Sequence, residues 1–331
     1  MPPPRKLEHQ TSRGTVRDWR GLKLKALAIA EAYLAADPTA HRDRAERMVN
    51  CANRLRFTRT PEGLLQLRNS HACKNRLCAT CQAATARRDF AILMARVNEH
   101  ARAHPGALPV MLTVTVRNVA SDQLKPAVIH LLGAFRKLTR MPRVTRAVMG
   151  WHRSLEITRN VVRNDFHPHV HALLWVRPGY FTTNSPLFLT QPDWVSLWAK
   201  ATGQGAAIVD IRRLGKDRDG VLDLAADGLF ELTKYAVKPA GFVEQIGIGW
   251  RVDPTILATI HTAIKGRRLR DVGGTMRKIP KPAWPRRPTD AELEAALIAI
   301  ETYEFGDWVE PEHGEILTDY WQRAPPDPSA P

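Results

Sequence analysis

All four cysteines of the 331-residue chain, Cys51, Cys73, Cys78 and Cys81, fall between positions 51 and 81. Whatever this stretch folds into must either gather four thiols or bury them singly. In a reducing cytosol, clustered cysteines are metal ligands more often than disulfide partners. Cys78-Ala-Thr-Cys81 is a two-residue knuckle, with Cys73 upstream of it. Four thiolates close a tetrahedral structural Zn²⁺ site, so the spacing predicts zinc on Cys51, Cys73, Cys78 and Cys81. His71 is the competing fourth ligand if Cys51 is a core residue, and buried free thiols are the bland alternative. No βαβ pattern surrounds the knuckle, which argues against a redox pair. Arg68, Lys74, Arg76, Arg87 and Arg88 flank it. A small metal-pinned lobe with such flanks predicts DNA binding through Arg76, Arg87 and Arg88; a solvated basic face is the competing reading.

Charge narrows the partner. The formal net charge is +16. Residues 281–331 hold 4 basic and 11 acidic side chains, a net −7, which leaves the first 280 residues at +23. A body this basic predicts a polyanion partner, nucleic acid first. No run of about 18 apolar residues exists to span a bilayer. The N-terminal MPPPRKLEHQ lacks a signal-peptide core. A cytoplasmic protein without a membrane partner is expected.

Periodicity sets out the fold. Residues 16–36 show helical spacing in Leu22, Leu24, Leu27, Ile29 and Leu34. A basic helix over 39–55 and another over 82–103 are expected. Residues 110–116 (VMLTVTV) read as a strand, 122–139 as a helix, 147–158 as a strand, 159–168 as a polar turn and 169–176 (HVHALLWV) as a strand. A helix over 191–202, a strand over 206–214 and a helix over 223–238 complete β-α-β-β-α-β-α. That order predicts an α+β class with a ferredoxin-like βαββαβ core, a central antiparallel sheet, and a helical zinc-binding lobe before it. A basic helical segment follows Arg251, prolines mark a linker from Pro280, and 289–303 reads as an amphipathic helix. The expected regions are 1–105 (helical, Cys-rich, zinc- and DNA-binding), 106–245 (catalytic), 246–280 (basic helical extension) and 281–331 (acidic, Pro-rich, partly disordered).

His169 and His171 are two apart on a strand, so both face one side. Antiparallel pairing across the turn brings the preceding strand alongside, with Glu156 the best-placed third ligand. Two imidazoles and a carboxylate bind a divalent ion and leave positions open for water or substrate. Asp165, His152 and His167 are weaker candidates, and two hydrogen-bonded histidines in a hairpin are the bland alternative. Downstream, Glu231, Tyr235 and Lys238 share one face of the expected helix. A phenol with a pKa near 10 is a poor nucleophile at neutral pH, but a metal-bound phosphate and a neighbouring cation ease its attack. A surface Tyr with an ion pair is the alternative.

Taken together, Cys51 with CKNRLCATC (73–81), LTVTVRN (112–118), FHPHVHALLWV (166–176) and ELTKYAVK (231–238) resemble the rolling-circle plasmid replication initiators. These belong to the HUH (His-hydrophobic-His) endonucleases, here the single-tyrosine type with a Cys-rich N-terminal region. WVSLWAKATG (194–203), VDIRRL (209–214) and IKGRRLRDVGG (264–274) are also similar to that group. Ala79 stands where a Pro is common in the knuckle.

The resemblance implies the HUH, RRM-like fold and a bacterial cytoplasmic site of action. It implies Mg²⁺ or Mn²⁺ on His169 and His171. It implies Tyr235 as the nucleophile that gives a 5′-phosphotyrosyl DNA and a 3′-OH primer, and Glu231 as the residue that activates water in termination. Lys238 is the neighbouring cation, and Arg212, Arg213 and Lys234 join the DNA-contact candidates. The implied partners are plasmid double-strand origin DNA, single-stranded DNA, a host helicase and a DNA polymerase. Two alternatives are a non-enzymatic zinc-dependent DNA-binding regulator and a related HUH relaxase or transposase.

Overall fold

The computed structural model describes residues 7, 9, 16–61, 63–205, 208–214, 229–233, 242–247, 249–282, 300–309 and 316–323. Along the chain run α1 (Trp19–Ala36), α2 (Pro38–Val49), β1 (Arg54–Arg59), β2 (Leu65–Asn69), α3 (Ala79–Ala103), β3 (Leu108–Thr115), α4 (Leu124–Leu138), α5 (Pro142–Ala147), β4 (Val148–Asn160), β5 (Asp165–Val176), α6 (Gln191–Thr202) and β6 (Val209–Arg213). A 3-10 turn, Leu229–Leu232, precedes β7 (Val243–Ile246), β8 (Gly249–Val252), α7 (Pro254–Ile264), β9 (Arg270–Gly274), α8 (Thr275–Lys278), β10 (Ile300–Val309) and β11 (Ile316–Arg323). They divide into two units, one built from residues 1–82, 243–254 and 284–331, the other from 83–242 and 255–283.

In the first unit a four-stranded antiparallel sheet runs β11-β10-β1-β2. The helix expected over 39–55 stops at Val49, because Ala52 takes a left-handed backbone (φ 60°) that a helix interior does not accommodate. Arg54-Leu55-Arg56-Phe57 then alternates polar and apolar residues, the period of a half-buried strand. Leu55 and Phe57 pack with Trp19, Ala52 and Tyr303. The helix expected over 289–303 is overturned at its end. From Ile300 the chain is strand β10, paired with β1 from Arg54↔Glu304 to Thr58↔Ile300. Its aromatic and β-branched residues suit a pleated surface better than a helix. Residues 289–299 lie outside the described residues.

The second unit carries a five-stranded, wholly antiparallel sheet in the order β6-β3-β5-β4-β9. Its first four members, taken in chain order, are fourth-first-third-second, which is the ferredoxin-like arrangement expected, with β9 added beside β4. One face is covered by α4 and α6. The other carries a cluster that includes Leu93 and Val97 of α3, Met111, Leu173, Trp175, Leu229 and Leu232. α6 is bounded by signals in its own sequence. Thr190 and Asp193 form a reciprocal capping box, and Gly203 closes the helix in the left-handed region (φ 69°). The Trp198 indole of α6 donates to the Thr115 carbonyl at 2.8 Å, fixing the end of β3.

The β4–β5 hairpin is longer than its sequence suggests. The turn expected over 159–168 spans only residues 161–164, with Asn164 left-handed (φ 52°) and the Asn160 side chain accepting from Arg163 N. Pro168 therefore lies inside β5. Its carbonyl accepts from Thr115 Oγ1 (3.1 Å), so its nitrogen faces the side where β3 has already ended at Thr115↔His169. The missing N–H costs no ladder bond there.

His152 of β4 is buried beside Arg270, Arg96 and Arg153, and burial first, then these cations, lowers its pKa to about 3. The unfolded chain takes up this proton below about 6.5 and the folded chain does not, so stability is lost as pH falls from 6.5 toward 3. Acid-induced melting is expected to lose about 1.4 kcal/mol per pH unit of that slope in His152→Leu; an unchanged slope in pH-dependent denaturation contradicts it.

Candidate functional site

Two groups of side chains in the described residues can hold a metal ion, one in each unit.

In the first unit, Cys51 follows α2, Cys73 and Cys78 lie on the loop before α3, and Cys81 is in that helix's first turn. The Cys51–Cys81, Cys73–Cys81 and Cys51–Cys78 sulfurs are 3.6, 3.6 and 3.7 Å apart. A Zn–S bond of about 2.3 Å puts tetrahedral sulfurs about 3.8 Å apart, so the donor set fits such an ion. None of the four is in a disulfide. Hydrogen bonding among the sulfurs splits their acidity: Cys73 and Cys81 are held low by Cys51, while Cys51 and Cys78 are pushed up by Cys73 and Cys51 respectively. A bound cation removes the need for this division, since thiolate is the ligand form. His71, the competing ligand, is exposed and outside the group. Ala52, His71 and Lys74 all take positive φ around the cluster, a backbone cost of about 1–2 kcal/mol each that four converging thiols can repay once a metal binds.

Sequence reasoning missed Lys23. Its ammonium is buried and donates to the carbonyls of Val49 and Cys51 and to Asn53 Oδ1. Burial lowers its pKa to about 8, opposed by the nearby cysteines. The available signal was its position in the buried stripe Trp19, Lys23, Ala26, Ala30, Tyr33 of α1, where a lysine needs partners.

In the second unit the hairpin register pairs Glu156 with His169 and Ser154 with His171. Directly paired and alternate residues share a face, so the carboxylate and both imidazoles meet. Glu156 Oε2 lies 3.1 Å from His169 Nε2 and 3.0 Å from His171 Nε2. Glu156 is 2% exposed and His169 8%. The outer nitrogens are engaged. His169 Nδ1 lies 3.2 Å from the His167 carbonyl, which can only accept. His171 Nδ1 lies 3.0 Å from Thr113 Oγ1, directly opposite on β3. With Nδ1 carrying the proton, a neutral imidazole presents its Nε2 lone pair inward. In that tautomer two lone pairs and a carboxylate oxygen share one point, a donor set that can hold a cation and leaves coordination positions open; in the other, Nε2–H donates to Glu156 Oε2.

The weaker candidates stay outside this group. Asp165 is paired with Arg163 (2.9 Å) and accepts from Asn118. His167 contacts Thr115 Oγ1 at 2.6 Å, and His152 is buried further along β4.

Of the helix expected over 223–238, the described part is the 3-10 turn Leu229–Leu232 and Thr233. Leu229 and Leu232 are buried on the same sheet face as the Glu156 group, against Met111, Leu173 and Trp175. Arg270 of β9, ion-paired with Asp89 of α3, donates to the carbonyls of Leu232 (3.3 Å) and Thr233 (2.7 Å). This guanidinium, hidden in a basic run of the sequence, holds the chain immediately before residue 234. Lys234, Tyr235 and Lys238 lie outside the described residues, and of Glu231 only the backbone is described.

Of the expected DNA contacts, Arg76, Arg87, Arg88, Arg212 and Arg213 are all exposed. Arg88 meets Asp89 (3.3 Å), Arg212 meets Asp210 (3.1 Å), and Arg213 lies over the Phe181 ring. Register puts Arg212 on the face of His171 and Arg213 on the other. Among the described residues no helix is long and apolar enough to cross a membrane.

The chain matches the family described as Replication protein (Rep_1) over residues 64–305. It is similar to "Protein rep" of Bacillus amyloliquefaciens, 36% identical over 296 residues that cover 83% of this chain and 84% of that one. "Protein rep" of Lactiplantibacillus plantarum is 31% identical over 274 residues, 82% and 84% of the two chains. "Protein rep" of Streptococcus pneumoniae is 27% identical over 277 residues, 82% and 81%. No solved structure matches the chain.

Metal analysis of the protein as purified is expected to find one tightly held ion per chain at the cysteines, lost in Cys73→Ser. A Cys73→Ser protein that keeps a full equivalent refutes its role as a ligand.

Proposed function

The chain belongs to the Rep_1 family of replication proteins, and from that premise we propose that it initiates rolling-circle plasmid replication by nicking one strand of its double-strand origin through a tyrosine. The observation that carries the reading is the convergence of Glu156 Oε2 with the Nε2 atoms of His169 and His171. This donor set can hold a divalent ion, which we assign from the family resemblance as Mg²⁺ or Mn²⁺ and which when bound supplies Lewis-acid polarisation of a phosphate. The four cysteines hold a structural Zn²⁺ and stiffen the first unit.

Tyr235 is the nucleophile. Its phenolate oxygen forms a bond to the scissile phosphorus as the bond to the 3′ oxygen breaks. The phenol proton is given up, the departing oxygen is protonated to a 3′-OH, and the 5′ phosphate stays on the protein. Lys238 favours the phenolate electrostatically. Glu231, in the segment anchored by Arg270, later takes a proton from water so that the phosphotyrosyl ester is hydrolysed in termination. The 3′-OH serves a DNA polymerase as primer while a host helicase opens the duplex. Arg76, Arg87, Arg88, Arg212, Arg213 and Lys234 hold DNA phosphates, in keeping with the net +23 of the first 280 residues.

On supercoiled plasmid carrying the cognate origin, Tyr235→Phe is expected to bind DNA yet nick at least a thousandfold more slowly, the cost of losing covalent catalysis. Glu231→Gln is expected to nick and then accumulate the covalent adduct. Gel analysis of relaxed and protein-linked DNA reads both. Wild-type nicking by Tyr235→Phe refutes the mechanism.

A further inference from the structure

The second unit has a cavity of about 570 Å³ between α4 and the β4–β9 edge of the sheet, which the proposed reaction does not use. Five arginines, Arg136, Arg140, Arg153, Arg267 and Arg277, surround it against one carboxylate, Asp271. Arg153 is only 7% exposed. Its guanidinium donates to the carbonyls of Arg268 and Leu269, with Asp271 at 3.9 Å. Arg277 donates to the Val272 carbonyl. Among the described residues no carboxylate or carbonyl pairs with the guanidinium of Arg136 or Arg140, and both side chains are exposed. The floor is apolar. Ile129, Leu132 and Trp151 line it, and Ile129 is 45% exposed. The Trp151 indole lies flat against Gly273, where a Cβ would stand 2.2 Å from the ring, and meets Phe135 edge-on at 5.3 Å.

Cations around an exposed apolar floor are the two halves of a single-strand binding groove. Guanidinium groups track the phosphates, and an aromatic surface takes the face of a base. A duplex keeps its bases stacked inside and offers only phosphates, so it cannot use the floor. Position then separates this groove from the nicking chemistry. Trp151 and Arg153 alternate along β4 with His152, Ser154 and Glu156 and therefore project from the opposite face of the sheet. A strand bound there is divided from the Glu156–His169–His171 group by the sheet itself.

We propose that this arginine groove on the helix-covered face is a second site for single-stranded DNA, one that holds a stretch distinct from the strand being cut. It shares with the proposed function only the premise that the protein handles DNA.

The test uses the full chain, fluorescence anisotropy with labelled oligo-dT and with a blunt duplex of equal length, and no added divalent metal. For Arg136→Ala/Arg140→Ala, oligo-dT affinity is expected to fall at least tenfold, with the loss for the duplex at least fivefold smaller. The salt dependence of oligo-dT binding is expected to become shallower by about 0.7 for each phosphate contact removed. Photocrosslinking of 5-iodouracil-substituted oligo-dT is expected to label the peptide containing Trp151. Unchanged oligo-dT binding, an equal loss for duplex and single strand, or crosslinks confined to the face of His169 overturns the proposal. Because nicking needs metal and these measurements do not, a protein that fails to nick refutes the proposed mechanism and leaves this result standing.

Discussion

One carboxylate oxygen and two imidazole nitrogens that converge on one point, Glu156 Oε2 with the Nε2 atoms of His169 and His171, are the constraint around which the second unit is arranged. With Nε2 protonated each imidazole donates to the buried carboxylate, and with Nε2 unprotonated the three atoms need a shared cation between them. The surrounding structure keeps these atoms there. Backbone pairing across β4 and β5 sets Glu156 opposite His169, and a slip of one residue would send the carboxylate to the other face. Thr113 and the His167 carbonyl occupy the outer nitrogens and fix which nitrogen faces inward. Trp198 ties α6 to the last residue of β3, where His169 pairs. The geometry of this group therefore depends on the sheet register.

The same register sorts two different sets of side chains onto the two faces of the sheet. The face of Glu156 also buries Leu229 and Leu232, and Arg270 clamps the carbonyls just before residue 234. The chain up to residue 233 is thus held against the sheet that carries the Glu156, His169 and His171 side chains. The other face offers arginines and an apolar floor. The basic excess of the first 280 residues is spread over surfaces with different neighbours.

Much of this was legible in the sequence for a physical reason. Side-chain alternation in strands is rigid, so His-Val-His implied a common face and antiparallel return implied Glu156 without any knowledge of distances. The cysteine spacing likewise selected four sulfurs that converge. What was hidden depends on distant partners or on polar strands. Arg159, Asn160 and Asp165 read as turn because a hairpin end that carries polar residues on both faces looks like a loop; in the structure they extend the ladder. β10 was masked by the helix-favouring residues before it, and its partner β1 lies more than two hundred positions away, beyond any local pattern. Lys23 and Arg270 are charged residues whose burial is decided by carbonyls contributed from elsewhere.

The claim that the hairpin's acceptors exist to hold a divalent ion is reached most directly by titrating Mn²⁺ into the protein and following the free-ion signal by electron paramagnetic resonance. The wild-type chain is expected to take up one Mn²⁺ per chain, and Glu156→Gln, which keeps the shape and removes the charge, at least tenfold less tightly. Equal affinity in the two proteins contradicts the assignment of Glu156 as a ligand, and no uptake by the wild type contradicts the metal centre altogether.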